Sequence, residues 1–261
     1  GTEATANGNS TTTVGGESVA TGPGATAYGW RSAANAERST ALGHLATANG
    51  IRSTAIGEAA QAEGLESIAG GNLASATGTD AIAFGTEAVA NGNSTTTVGG
   101  ESVATGPGAT AYGWKSAANA ERSTALGHLA TADGVRSVAV GEAAVSGGTQ
   151  AIAIGDNSAA AQNNSIAIGA GVATSAENQV AIGTASHTYT LAGISSAASQ
   201  AAQTGTIQFV TADADGNLAV TAMGGGAADV SGSSASGTDS SAYGQGSTAS
   251  GNESVAVGDS S

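Results

Sequence analysis

Catalysis needs reactive side chains at workable spacing, and this chain offers few. Its three histidines are His44, His128 and His187, and it has no cysteine. No Ser–His–Asp or Cys–His set can be assembled from their spacing. Zinc would need Cys or paired His, and neither is present. Asp213-x-Asp215-Gly216-Asn217 has part of a calcium-loop pattern but lacks its first-position Asp and its bidentate Glu, and a hairpin turn accounts for it. Gly113-Trp114-Lys115-Ser116 lacks the Gly-Lys pair of a phosphate loop. Glu17, Glu37, Glu58, Glu63 and Glu66 are scattered and read as a solvated face rather than an acid/base pair. The sequence therefore predicts no enzyme, no cofactor and no metal. Trp30 and Trp114, the only tryptophans, and His44 and His128, at equivalent corners, are its candidate ligand contacts. Each Trp is either an aromatic anchor in a contact patch or a corner residue packed on a neighbouring chain.

Charge narrows the partners. The net charge is −14, and all six basic residues lie at or before Arg136. Such a chain cannot neutralise a phosphate backbone, so no nucleic-acid partner is expected, and anionic membranes are disfavoured for the same reason. No signal peptide and no long apolar run is evident, so no membrane segment is expected. The chain starts and stops in mid-pattern and reads as a fragment of something longer.

That pattern decides the fold. Gly recurs every 14 residues from Gly1 through Gly15, Gly29 and Gly43 to Gly183, preceded by S/T-x-A-x-G, as in Ser53-Thr54-Ala55-Ile56-Gly57 and Ser165-Ile166-Ala167-Ile168-Gly169. A weaker echo falls seven residues later, at Gly8, Gly22, Gly50, Gly64 and onward. Each unit is predicted to be one coil of two strands of about five residues, each followed by a Gly bend that permits positive φ. With 42 glycines and 3% aromatics, the chain suits a thin interior between close backbones. Residues 1–60 match 85–144 at all but six positions, a shift of six whole coils. Thirteen coils give a parallel all-β roll about 60 Å long.

Period-two alternation assigns the faces. In the second strand Ala62 and Gly64 oppose Gln61 and Glu63, so the small residues point inward. By analogy Ala55 points inward in the first strand. Outward then lie Thr54, Ile82, Val138, Ile152, Ile166 and Val180, and beside them Val14, Tyr28, Leu42, Ile56, Phe84, Val98, Tyr112, Leu126, Val140, Ile154, Ile168 and Ile182. A stripe of that length needs cover, and parallel copies of the same rod around an axis would bury it. This second column is therefore the predicted interface of a homotrimer. The alternative, in which the bulky face fills the roll, stays open at this level.

The period stops after Gly183. Ser186–Leu191 reads as a last strand, 194–203 as a helix, and 206–211 with 217–221 as a hairpin around Asp213–Gly216. Residues 223–239 read as a Gly/Ser-rich linker. The repeat returns at Ser241-Ala242-Tyr243-Gly244 and Val255-Ala256-Val257-Gly258. The expected domains are a roll head over 1–185, a connector over 186–239 and a second roll segment over 240–261.

The S-x-A-x-G units at period 14 resemble the head domain of trimeric autotransporter adhesins, the YadA-like family. The resemblance spans 1–183 and 240–261, with 186–223 similar to the family's connectors. It implies a left-handed parallel β-roll assembled as a homotrimer on the bacterial outer surface. The implied partners are host matrix proteins, host-cell receptors or other bacteria. Two other readings are a non-adhesive spacer and an ice- or surface-binding solenoid; for the latter, Thr11–Thr13 and Thr95–Thr97 give a patch but no lasting Thr column. A carbohydrate-active β-helix would need clustered carboxylates and an aromatic groove.

Overall fold

The computed structural model describes residues 1–203, 208–222, 234–238, 241–243 and 247–257. They fall into two units, Gly1–His187 and Thr188–Ser261.

The first unit is a parallel β-solenoid. Each coil gives a two-residue strand, such as Gln61–Ala62, to a 12-stranded sheet and a three-residue strand, such as Thr54–Ile56, to a 13-stranded sheet. Every neighbour is the next coil in parallel register, with Ala69 between Ala55 and Ala83. The strands are shorter than the five residues expected because the corners carry the ladder too. The N–H of Arg31 donates to the Gly16 carbonyl at 2.9 Å, and that of Arg52 to the Glu37 carbonyl at 2.8 Å. Inter-coil bonding thus continues through the bends, where side chains no longer alternate.

The interior is built from methyl and hydroxymethyl groups. Ala55, Ala62, Ala69, Ala76 and Ala83 are fully buried, as are serines of two columns, one through Ser18 and Ser32 and one through Ser39, Ser53 and Ser67. The largest fully buried side chains are Thr95 and Thr97. No Val, Ile or Leu of the outward columns enters the roll, so the small-residue face points inward and the bulky face outward. Ser18, Ser32 and Ser39 donate to the carbonyl three residues back at 2.8 to 2.9 Å, which closes each turn. The buried hydroxyls of Ser53, Ser67, Ser137 and Ser146 lack such a partner.

The glycines of both series lie close to the next coil, and the two series differ in backbone conformation. Gly15, Gly29 and Gly57 hold φ of 128 to 133°, a region open to Gly. The echo glycines do not need positive φ. A Cβ on Gly50 would lie 1.8 Å from the Gly64 carbonyl oxygen, and one on Gly64 would lie 1.9 Å from that of Gly78. Coil-to-coil approach, not backbone freedom, selects glycine there. The left-handed residue of each bend comes two positions later and is commonly not Gly: Arg31, Leu45, Arg52 and Ala59 hold φ of 53 to 59°. An inter-coil backbone hydrogen bond fixes each in place, with Leu45 bonded to Trp30 and Ala59 to His44.

In the second unit the helix is Ala197–Ala202, shorter than 194–203, and begins where the Ser196 hydroxyl accepts from the Ser199 N–H. Gln208–Ala212 and Leu218–Ala222 pair antiparallel as the hairpin. Thr206 and Ile207, and most of the expected linker, lie outside the described residues. Ser186–Leu191 is not a strand. The segment turns instead, with the Thr184 N–H donating to His187 Nδ1 at 2.9 Å. The returning repeat pairs Ser241–Tyr243 with Val255–Val257 in parallel. Pairing also joins Ser234–Ala235 to Thr248–Ala249, inside the stretch read as linker. Gly244 and Gly258 are outside the described residues.

Two glycine substitutions separate the two roles. Gly50→Ala puts a methyl into backbone and is expected to destabilise the roll by about 3 kcal/mol or more. Gly171→Ala, at φ 67° with nothing within 4 Å of its Cβ, is expected to cost only about 1 kcal/mol. Urea unfolding of the two variants against the parent checks the order; equal losses would remove the close-approach argument.

Candidate functional site

Two features of the first unit could meet a partner. The first is the apolar stripe. In the single chain Tyr28 is 57% exposed, and Val14, Leu42, Ile56, Phe84, Tyr112, Leu126, Ile154, Ile168 and Ile182 are also exposed. Val98 and Val140 are half-buried. Beside them Ile82, Val138, Ile152 and Ile166 are half-buried, while Val180 is exposed. The stripe has one gap, at Gly70, which pairs between Ile56 and Phe84. The Phe84 ring fills it: a Cβ on Gly70 would sit 2.4 Å from Phe84 Cε1. The column is thus continuous in apolar cover although its residues are not.

The second feature is a corner ladder. Trp30 stacks on His44 one coil on, with ring centroids 5.0 Å apart and planes 17° apart. Arg31 lies 5.1 Å from the Trp30 ring centre and reaches back to Glu17 at 3.4 Å. Beyond His44, its Nδ1 meets Glu58 Oε1 at 3.3 Å, and Asn72 Nδ2 donates to Glu58 Oε2 at 3.3 Å. A carboxylate only accepts, so His44 Nδ1 carries the proton of that bond. Below the indole, Gly16 leaves room: a Cβ there would come within 3.2 Å of Trp30 Cδ1.

The ladder is built twice. Trp114 stacks on His128 at 5.0 Å and 13°. Lys115 lies 4.2 Å over the Trp114 ring and 3.3 Å from Glu101. His128 Nδ1 meets Glu142 Oε1 at 3.2 Å. Each tryptophan therefore packs on a histidine of its own chain. The four residues singled out from sequence fall into two pairs. Sequence reasoning takes Glu17 and Glu58 for a scattered solvated face and does not single out Arg31 or Asn72; the series 30, 44, 58 and 72 is the signal for Glu58 and Asn72. Among the described residues no group of three or more His, Asp or Glu is placed to hold a metal ion. Nor is any helix long and apolar enough to cross a membrane.

In the second unit Asp213 is committed to its turn. Its Oδ1 accepts from the N–H groups of Asp215 at 3.0 Å and Asn217 at 2.8 Å, and its Oδ2 from Asn217 Nδ2 at 2.8 Å. These bonds, the Asn217 side chain first, hold the carboxyl below its ordinary 3.8.

The geometry defines a repeat solenoid with an outward apolar stripe and a duplicated aromatic corner, and the repeat is that of a known family. The model of the YadA head domain repeat matches residues 6–32, 20–46, 34–57, 48–74, 76–96, 93–116, 118–142, 146–171 and 235–261. The chain belongs to the YadA head repeat family, and with it has an adhesin-type function. Heads of this family are surface-exposed passengers of the outer membrane and as a class are not enzymes. Among solved structures the chain is similar to the collagen-binding domain of the Yersinia adhesin YadA, at 24% identity over 69% of this chain and 73% of that one, with a TM-score of 0.25. No curated protein matches.

The hairpin turn should respond to acid. The carboxyl of Asp213 is lowered on folding, so its contribution is complete above 3.8 and is lost as pH falls through the lower folded value. The Asn217 amide resonance is expected to move in that acid range and to be insensitive in Asp213→Asn. Movement unchanged in the variant would remove Asp213 as the cause.

Proposed function

We propose that the chain is the binding head of a trimeric adhesin displayed at the bacterial outer surface. Its role in this reading is attachment to host extracellular matrix, host cells or other bacteria. Three parallel copies bury the stripe from Val14 to Ile182 around a common axis. The single observation that carries this is the stripe: large apolar side chains at every coil but Gly70 face solvent in one chain, and the alanine interior has no room for them. Covering a dozen such half-exposed side chains is worth on the order of 10 kcal/mol per chain. In the same reading residues 186–239 join two roll segments.

The relative named above is a collagen-binding domain, which makes collagen the first matrix protein to try. Binding would be spread over repeats and strengthened by the three-fold copy number.

Light scattering with small-angle X-ray scattering tests the assembly. A rod of three chains is expected for the parent, and a monomer for Ile154→Asp combined with Ile168→Asp. Each aspartate would bury a charge costing several kcal/mol in every chain of the trimer. A folded parent monomer, or a trimer untouched by the two aspartates, would overturn the buried-stripe reading. Binding of the trimer to immobilised collagen then tests the matrix partner, with no retention counting against it.

A further inference from the structure

We infer that the two tryptophan corners are matched docking points for one basic, partly apolar segment of a partner protein, laid along the rod. This rests on the adhesin reading and names the chemistry of what the head holds.

The ring is already engaged. Arg31, tied back to Glu17, lies over the Trp30 indole, and His44 stacks on it. A sugar would compete with those contacts for a ring face. Trp30 nonetheless stays 46% exposed, and Leu45, whose N–H donates to the Trp30 carbonyl, is exposed as well. That is contact area for an aliphatic side chain.

Charge selects the rest. Five of the six basic residues already sit against a glutamate: Arg31, Arg38, Arg52, Lys115 and Arg122. The sixth, Arg136, has Gln150 in the column place that Glu66 holds for Arg52. Five of the six cations are therefore already paired, while carboxylates remain in surplus on a chain of net charge −14. At the corners themselves Glu58 and Glu142 have side chains 61% and 63% exposed, directly beyond the histidines. In the second corner Asp156 follows Glu142 in the same column and adds a further negative charge. Complementarity calls for a cationic partner and turns away sulfated or phosphate-bearing ones.

Spacing makes the two corners a pair. The blocks differ at Thr5/Val89, Arg31/Lys115, Asn49/Asp133, Ile51/Val135, Thr54/Val138 and Ile56/Val140. Only Arg31/Lys115 touches the ladder, and there the contact with the ring and the contact with the glutamate are both kept. Six coils place the corners about 29 Å apart, a gap that an extended segment of about nine residues crosses. Engaging both at once raises affinity through effective concentration.

The only two tryptophans of the chain are at the corners, so their emission reports on these sites alone. Trp30→Phe and Trp114→Phe each leave one reporter while keeping an aromatic ring on the histidine. The probes are a peptide of about 24 residues built from Lys-Leu-Gly-Arg units, long enough to reach both corners, one such unit alone, and a long peptide with Glu replacing Lys and Arg. Each reporter is expected to respond to the long basic peptide, roughly tenfold more tightly than to the single unit. That advantage should vanish at Trp114 in Trp30→Ala. Glu58→Gln with Glu142→Gln should weaken binding several-fold, and added salt should do the same. No emission change with the basic peptide, or an equal change with the acidic one, overturns the proposal. A length advantage that survives Trp30→Ala overturns the pairing of the corners. Retention on immobilised collagen is measured alongside: retention with silent tryptophans sinks the corner sites and leaves the adhesin reading standing, whereas responsive tryptophans without retention do the reverse for collagen.

Discussion

The stacking of one coil on the next, in a register of 14 residues, is the constraint from which the rest follows. Parallel backbone hydrogen bonds run through the strands and continue around the corners, so each coil is bonded to its neighbours nearly all the way round. That continuity leaves little freedom in the cross-section. Two sheets held this close admit little beyond methyl and hydroxymethyl groups, which is why the buried side chains are Ala, Ser and Thr, with Val172 the one larger aliphatic among the described residues. It also demands glycine where two coils touch, as at Gly50 and Gly64, and it locks non-glycine residues such as Arg31 and Leu45 in the left-handed region. A backbone conformation that costs about 1 kcal/mol in isolation is held at each of these corners by an inter-coil hydrogen bond.

A core of small side chains has a consequence outside the roll. The apolar bulk that a globular domain would hide has nowhere to go but outward, and the register stacks it into one stripe. The same register stacks every other position as well. Columns of identical phase place Trp30 on His44, His44 on Glu58 and Glu58 on Asn72, while Asn49 donates to Glu63 one coil on. Where the duplicate block carries Asp133 in place of Asn49, the next residue in the column is Gly147 rather than a glutamate, and Asn119 donates to Asp133 at 2.7 Å. In this column like charges are thereby kept from adjacent rungs, whereas Glu142 and Asp156 share adjacent rungs of another. In a solenoid, a residue one period away is a contact, and function is written along columns rather than along the chain.

The second unit obeys different rules. Its helix of six residues buries no side chain, and Val210, Leu218 and Val220 of its hairpin are exposed. A helix that short and a lone two-stranded hairpin are marginal by themselves. Local devices, the Ser196 cap and the Asp213 turn, set where these elements begin and bend.

The sequence alone determined the coil and the stacking register, because a strict period leaves a single way to superpose thirteen similar units; it sorted small from bulky residues onto two faces, and the structure decided that the small face is the interior. It marked Trp30, His44, Trp114 and His128 as unusual, since rare residue types at equivalent places stand out in a chain of Ala, Gly, Ser and Thr. Only the tertiary structure decided that each tryptophan lies on a histidine of the next coil, with Arg31 or Lys115 on it and a glutamate beyond. Those contacts depend on rotamers that meet across coils, which composition does not reveal. The structure also decided why the echo glycines are glycine, and that the strands are only two or three residues long. Both turn on how closely one backbone approaches the next, a distance that exists only once the coils are stacked.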